Sequence, residues 1–413
     1  MRKFRNILSL FDGISICQEA LHDQNLDYEI CYSSEIDKHA SAITRYNYPN
    51  TIHLGDVRKW ETWGIDWSKI DILFAGFPCQ SWSVAGKELG DRDPRGQLMW
   101  VMMDIFDNIK KHNPNFLFLF ENVKMKTVFM EYCSNAIGIR PILINSSLVS
   151  AQNRERYYWT NIFSEKVGIF GDELICRIPQ PENKNILLKD ILEKSVPEKY
   201  TLSEKRMKIV EIGKFKTTDK VENINGKSGC LTAGMGMGGG SVPFINLDEI
   251  DENTCGNYNA LRGWNFNKDS KSPTLLARAR QDVHGLPCVV VKQGTKLGYD
   301  IAFEGDSINL TFPSSENKRG RVGKEKAQTL VCGIEQYTLQ NKKLRRLIPL
   351  ECERLQTFKD NYTKFGDYGD GKIVEVSDTQ RYKSIGNSWT KSVISYILSF
   401  TKINYNEWLN QTK

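Results

Sequence analysis

Ile7-Leu8-Ser9-Leu10-Phe11-Asp12-Gly13-Ile14-Ser15-Ile16-Cys17-Gln18 is the stretch on which the fold turns. Ile7 to Phe11 reads as a short apolar strand. A turn at Asp12-Gly13 follows, and helical spacing sets in from Ser15 to Asp23. The same alternation continues outward. Glu29 to Ser33 is a second strand, and Asp37 can cap a helix that runs to about Tyr46 and stops near Pro49. Thr51 to Leu54, Ile70 to Ala75 and Phe116 to Phe120 are further buried strands, with a helix from Gln97 to Lys111 between the last two. This rhythm predicts an α/β fold with a mostly parallel sheet. Such sheets bind ligands beyond the carboxyl ends of their strands. That rule singles out Phe11-Asp12-Gly13, Glu35, Asp56, Pro78-Cys79-Gln80 and Glu121-Asn122-Val123.

The rest of the chain reads differently. From about Val196 to Gln340 it is rich in Gly, Asn, Ser and Lys, with short β-like pieces such as Cys288 to Lys292, so a smaller, irregular, β-rich module is expected there. Three short phrases recur in it at uneven spacing, Gly229-Cys230-Leu231-Thr232, Ser272-Pro273-Thr274-Leu275 and Ala327-Gln328-Thr329-Leu330; recurrent strand starts explain them as well as a repeat does. Helical patterning returns at Leu350 to Phe358 and Trp389 to Phe400, and the last helix is expected to pack back on the first domain.

Composition sets the outer limits. The 413 residues are 40% hydrophobic and 26% charged, ordinary for a globular protein with ample core material. No apolar run approaches the roughly 18 residues of a membrane span, and no signal-peptide pattern opens the chain, so a cytoplasmic protein is expected. The ten cysteines include no C-x-x-C pair. That excludes a zinc ribbon and the zinc-deaminase signature; reduced, mostly buried thiols are expected, and no metal site. The net charge of +6 is unevenly placed: residues 260–346 carry 16 Lys and Arg against 8 Asp and Glu. The excess suits a polyanion-facing module, and a solvated basic surface equally well.

Cys79 lies on a Gly- and Pro-containing stretch after a strand, where a thiol can be exposed and activated; alone, a buried structural thiol is the simpler reading. Glu121 ends an apolar run and is either desolvated for acid–base work or a hydrogen-bonded support. Gln152-Asn153-Arg154-Glu155-Arg156 puts two arginines on one side of an extended segment, which alone would be a solvated charged strand. Gly234-Met235-Gly236-Met237-Gly238-Gly239 fits a dinucleotide fingerprint in letters only. Gly240, Ser241 and Pro243 follow it, so no helix starts there and a flexible loop is the better reading.

Taken together and in order, the motifs resemble the DNA (cytosine-5)-methyltransferase family of bacterial and phage type. They are Phe11-Asp12-Gly13-Ile14-Ser15, Glu35, Gly55-Asp56-Val57, Gly76-Phe77-Pro78-Cys79-Gln80 and Asp93-Pro94-Arg95-Gly96-Gln97-Leu98. Glu121-Asn122-Val123, Gln152 through Arg156, Arg346 through Phe358 and Gly386-Asn387-Ser388 follow. The resemblance implies a Rossmann-like methyltransferase domain using S-adenosyl-L-methionine and releasing S-adenosyl-L-homocysteine. It implies domain bounds of 1–195 and 380–413 for catalysis, 196–343 for target recognition and 344–379 for a hinge.

Carried over residue by residue, it implies a nucleophile at Cys79 and a proton-sharing partner of ring nitrogen 3 at Glu121. Arg156 would hold the 2-carbonyl oxygen, and Arg154 would brace the active-site loop or a phosphate. The cofactor would be met by Phe11, Gly13, Ile14, Ile36, Val57, Pro78, Leu98, Asn387 and Ser388, with Glu35 on the ribose and Asp56 on the adenine amino group. The loop from Ser81 to Arg95, with Gly86 and Gly90, would close over a flipped base. Candidate DNA contacts are Ser81, Lys87, Arg278, Arg280, Lys318, Arg319, Arg321 and Lys324, with Lys326 beside them.

The implied partner is double-stranded DNA, bound by a monomer, with a restriction endonuclease as a functional partner. Two positions depart from the family pattern: Ser15 stands where a second glycine is usual, and Trp389 where a smaller residue is common. Rival readings are an RNA cytosine-5-methyltransferase of the same fold and a non-catalytic DNA-binding relative. The large basic module speaks against the first, and the intact Cys79, Glu121 and Arg156 against the second.

Overall fold

A computed structural model describes residues 3–78, 97–167, 173–200 and 343–403, with short segments between 221 and 340. The chain divides into two compact units. The first comprises Met1–Ile191, Thr329–Ile334 and Pro349–Lys413, and the second Leu192–Gln328 and Glu335–Ile348. The segment expected as a hinge, 344–379, is thus divided, with 349–379 in the first unit.

The first unit is built on a seven-stranded sheet of order β3-β2-β1-β4-β5-β9-β7. Five strands are parallel: β1 (Lys3–Leu10), β2 (Asp27–Ser34), β3 (Ile52–His53), β4 (Ile70–Gly76) and β5 (Leu117–Val123). After the short β6 (Ile139–Arg140), the chain adds β7 (Ile142–Asn145), and after β8 (Gln152–Asn153) it adds β9 (Glu155–Thr160). β9 runs antiparallel to both β5 and β7. Strand order reverses at β1, whose neighbours β2 and β4 lie on opposite sides, and this is the switch point at which open α/β sheets bind ligands.

Helices α1 (Ile16–Asp23), α2 (Lys38–Asn47), α3 (Leu98–His112) and α4 (Thr127–Ile137) come after β1, β2, β4 and β5 respectively. Asp37 does cap α2, accepting from the backbone N–H groups of His39 and Ala40. α3 buries Met99, Met102, Met103, Ile105, Phe106 and Ile109 as one helical stripe. Phe106 meets the rings of Phe116, Phe118 and Phe120 edge-on, with centroids 5.3, 5.1 and 5.6 Å away. Each such ring, fully buried, contributes about 1.5–3 kcal/mol. The C-terminal part supplies α5 (Pro349–Leu355), α6 (Asp378–Asn387) and α7 (Lys391–Ser399). α7 returns to α1, as expected: Val393, Ile394, Ile397 and Leu398 are wholly buried, and Lys391 pairs with Asp23 at 2.8 Å.

One strand differs from expectation in a way that matters for the site. The apolar run suggests a strand ending at Phe120, but β5 continues through Val123. β9 is the reason: its residues Tyr158, Tyr157 and Arg156 pair with Glu121, Asn122 and Val123. Glu121 therefore sits within the sheet, beside Gly76 on β4. Sequence reading did not find β7, β9 or α4, because the polar residues of 121–156 conceal their periodicity.

Apart from the stretch 192–200, which ends in the 3-10 helix Glu198–Tyr200, the described elements of the second unit are β-strands. Cys288–Lys292 and Tyr299–Phe303 form an antiparallel pair. Val322–Gly323, Ser307–Asn309, Gln336–Gln340 and Lys343–Arg346 form a four-stranded sheet in that order. Val291, Ala302, Ile308, Leu310 and Tyr337 make a small core.

Candidate active site

The β1–α1 turn makes the first wall. Phe11, Gly13 and Ser15 all adopt positive φ, 54°, 60° and 60°. A left-handed residue is free of cost only for glycine, so Phe11 and Ser15 are held there by their surroundings. The turn is tied to the end of β2. The Asp12 N–H donates to the Ser34 carbonyl at 3.2 Å, and the Ser33 hydroxyl donates to the Asp12 carboxylate at 2.7 Å. The Gly13 N–H donates to Glu35 at 2.9 Å. A side chain added at Gly13 would meet nothing within 4 Å, so this turn faces open space.

Glu35 is a backbone-bound carboxylate. Beyond Gly13, it accepts from the N–H groups of Ile36 at 2.8 Å and Asp37 at 2.7 Å. Burial pushes its pKa above the ordinary glutamate range, and the backbone donors offset part of that shift. A carboxylate offers about four lone-pair sites, so with three backbone donors bound about one remains for a further donor. Beside it Ile36 is 76% exposed, an apolar side chain left in solvent. Asp56 caps the 3-10 helix Val57–Thr62 and forms a forked ion pair with Arg58, Oδ2 to Nη2 at 2.5 Å, which lowers its pKa. Val57 is buried below it.

An adenosyl group asks for an acceptor at its ribose, an apolar surface for its purine and an approachable backbone. Glu35, Ile36 and the Phe11–Gly13 turn offer these in one place. Arg58 was not anticipated: it occupies Asp56 in this structure, and being exposed it can swing away.

The second wall lies at the ends of β4 and β5. Glu121 is 8% exposed, and its Oε1 receives the Arg156 Nε–H at 2.9 Å. Arg156 Nη1 donates to the Glu155 carbonyl at 2.7 Å. The pairing of β5 with β9 is what brings carboxylate and guanidinium together, since neither residue is near the other in sequence. Asn122, almost fully buried, donates to the Phe77 carbonyl at 3.3 Å and so holds the backbone just before Pro78. Sequence reading gave Asn122 no role; a buried amide at the end of an apolar strand was the available signal. Cys79, Ser81, Lys87, Gly86 and Gly90 lie outside the described residues, as do Arg278, Arg280, Lys318, Arg319 and the glycine-rich stretch 234–239.

The two arginines of the Gln152–Arg156 motif have different partners. Arg154 is 4% exposed and reaches the Gly386 carbonyl at 3.4 Å and the Ser388 carbonyl at 2.9 Å. It braces the α6 end, where Asn387 and Ser388 lie. The physical reason is that its guanidinium satisfies carbonyls that the helix end leaves unpaired. Gln356 Nε2 supports the same turn through the Ile385 carbonyl at 2.9 Å. Leu98 opens α3, packed against the core.

Arg321 corrects another expectation. It is 2% exposed, so its side chain belongs to the interior of the second unit and is withdrawn as a DNA-facing residue. Lys324 keeps an exposed ammonium but pairs with Asp306 at 3.0 Å.

An α/β sheet with a backbone-bound acid, Glu35, beside its switch point and a buried Glu–Arg pair on β5, two strands from β1, fits a Rossmann-like transferase. The family model for C-5 cytosine-specific DNA methylase matches residues 5–135 and 138–402, and the chain belongs to that family. It is therefore a DNA cytosine-5 methyltransferase that uses S-adenosyl-L-methionine and acts on double-stranded DNA.

Among its relatives are the orphan methyltransferase M.SPRI of Bacillus phage SPR, 27% identical over 96% of this chain and 97% of that one, and the type II methyltransferase M.BanI of Aneurinibacillus aneurinilyticus, 26% identical over 100% and 98%. M.HpaII of Haemophilus parainfluenzae is 27% identical over 94% and 86%. A solved methyltransferase of Entamoeba histolytica shares the fold with a TM-score of 0.52, at 15% identity, over 97% of this chain and 98% of that one. The family is one of DNA methylases, so the RNA-modifying and non-catalytic readings are set aside.

Proposed function

We propose that Cys79, Glu121 and Arg156 carry the reaction on the cytosine, and that Glu35, Asp56 and the Phe11–Ile14 turn hold the cofactor. The observation that supports this best is the buried Glu121–Arg156 pair beside the end of β4, whose chain runs on through Pro78 to Cys79. Carbon-5 of cytosine is a poor nucleophile. Attack of the Cys79 thiolate on carbon-6 breaks the 5,6 double bond and moves its electron pair toward carbon-5, giving an enamine. Glu121 shares a proton with ring nitrogen 3, which absorbs the charge that develops in the ring. Arg156 holds the 2-carbonyl oxygen with N–H groups that its bonds to Glu121 and Glu155 leave over. When bound, the cofactor supplies an electrophilic methyl group on its sulfonium. With the methyl group on carbon-5, loss of the carbon-5 proton to a base or to water returns the C–H electron pair to the ring, re-forming the 5,6 double bond and expelling Cys79 as its thiolate. The base is reached only when flipped out of the helix. Ile36, Val57, Pro78, Leu98, Asn387 and Ser388 complete the cofactor's surroundings in this reading.

The second unit reads the target sequence, with Lys324, Lys326, Lys318, Arg319, Arg278 and Arg280 toward phosphates. The enzyme acts as a monomer on DNA, in the bacterial cytoplasm, either beside a restriction endonuclease of the same specificity or as an orphan or phage enzyme. No described helix is long and apolar enough to cross a membrane.

A 5-fluorocytosine at the target position tests the mechanism. Fluorine cannot leave as a cation, so the enzyme is expected to stay covalently attached to the DNA, and only with S-adenosyl-L-methionine present. Cys79→Ala forms no adduct, and Glu121→Gln forms it far more slowly. An adduct with Cys79→Ala, or none with the unaltered enzyme on DNA that it methylates, overturns the assignment.

A further inference from the structure

Ser15 stands where the family pattern has glycine, and the structure gives it a left-handed backbone, φ 60° and ψ 44°. Glycine would adopt this conformation without strain. A serine at a helix N-cap ordinarily turns its hydroxyl to a backbone N–H of the first turn, and Ser15 makes no such bond. Its Oγ instead accepts from the side-chain amide of Gln18, at 2.7 Å.

Gln18 is 2% exposed and fully engaged. Its second amide hydrogen goes to the Thr51 hydroxyl at 3.0 Å. Its carbonyl oxygen accepts from the Tyr28 hydroxyl at 2.6 Å. An amide has two donors, and both are used. The four side chains come from the β1–α1 turn, from α1, from β2 and from the residue before β3. They therefore fasten the turn to the two strands on its side of the sheet. Removing the Ser15 hydroxyl would leave a buried N–H of Gln18 unpaired; removing Gln18 would take away one of the bonds that hold a serine in a strained conformation.

We propose that Gln18 is a positioning residue for the cofactor, holding the Phe11–Ser15 turn in its binding conformation through Ser15, with Tyr28 and Thr51 fixing the amide. The pair Ser15 and Gln18 replaces what a glycine achieves by conformational freedom alone. This rests on the reading of that turn as cofactor-binding. Gln18 touches no reacting atom, so it acts on cofactor affinity and leaves DNA affinity as it is.

The test is titration calorimetry with S-adenosyl-L-homocysteine on the full-length enzyme, beside thermal unfolding and DNA binding without cofactor. Gln18→Met is expected to raise the cofactor Kd about tenfold, the equivalent of one lost buried hydrogen bond. Adding Ser15→Gly to Gln18→Met should recover most of that loss, since glycine needs no brace and no amide is left unpaired. A general packing defect at residue 18 would not be rescued in this way. Tyr28→Phe, which removes one hydroxyl and keeps the ring, should shift Kd in the same direction by about two- to threefold, and it serves if Gln18→Met does not fold.

Unchanged cofactor affinity in Gln18→Met or, where that variant does not fold, in Tyr28→Phe overturns the proposal, as does a double variant no better than Gln18→Met. Glu35→Ala separates the two levels. If it weakens the cofactor and the brace variants do not, the brace alone is wrong. If Glu35→Ala leaves affinity unchanged, the pocket is misassigned and the proposal falls with it.

Discussion

In the proposed assignment, Glu35 serves both fold and ligand. Three backbone N–H groups bind it, and burial raises its pKa nonetheless. A raised carboxylate binds its proton more tightly in the folded state, so its ionisation costs stability as pH rises through the folded value. The charged form is the better acceptor for a ribose hydroxyl. Cofactor affinity is therefore expected to fall as pH drops through the raised pKa of Glu35, at a higher pH than an ordinary glutamate would give. Calorimetry with S-adenosyl-L-homocysteine across acidic pH checks this, and Glu35→Gln should flatten the profile.

Gly76 makes a steric case at the same scale. A side-chain carbon placed there would lie 2.8 Å from Trp389 Nε1 and 3.3 Å from Trp389 Cε2. Gly76→Ala is expected to destabilise by about 1–3 kcal/mol, with Trp389→Ala restoring part of it, as read in denaturant unfolding. The large residue at 389, a departure from the family pattern, is accommodated because residue 76 has no side chain.

Between elements, the segment after α5 is fixed by a buried carboxylate. Glu353 is wholly buried and accepts from the N–H groups of Asn361 and Thr363, both at 2.8 Å, and from Arg381 at 3.0 Å. That clamp holds the stretch from which the Tyr362 hydroxyl reaches the Ile14 carbonyl at 2.7 Å. The motif around Glu353 thus supports the β1–α1 turn, the proposed cofactor site, from a position more than 300 residues away in sequence. Breaking a buried pair costs about 3–5 kcal/mol, so Glu353→Gln should lower the unfolding midpoint clearly and raise the cofactor KM. Tyr362→Phe, which loses one hydrogen bond, should cost only about 0.5–1.5 kcal/mol while moving KM in the same direction. If both variants leave KM at the unaltered value, the link to the turn is absent.

At the level of elements, the strands β1 to β4 and helices α1 to α3 were legible, because apolar periodicity and the Asp37 cap are local signals. β7 and β9 were not, because the pairing of β9 with β5 and β7 is non-local and their residues are mixed in polarity.

For the whole molecule, the basic excess of residues 260–346 should appear as salt-dependent DNA affinity. Neutralising Lys318, Arg319, Lys324 and Lys326 is expected to reduce the slope of log K against log salt by about 0.9 for each phosphate that is no longer neutralised. Arg321→Ala should behave differently, since the side chain is buried: stability falls and the slope stays. A salt slope unchanged by the four-residue variant would place that cluster away from DNA.

The sequence by itself determined the α/β class, the order of the motifs and the acids that end β2 and precede the first 3-10 helix, because these follow from short-range periodicity and from residue types that the chemistry demands. Only the tertiary structure decided that Arg156 faces Glu121 while Arg154 holds the turn at Gly386 and Ser388. Only it showed that Arg321 is interior, and that Ser15, in its left-handed turn, accepts a hydrogen bond from Gln18. Each of these depends on which strands become neighbours, and strand pairing is set by packing across the whole sheet and by no local pattern.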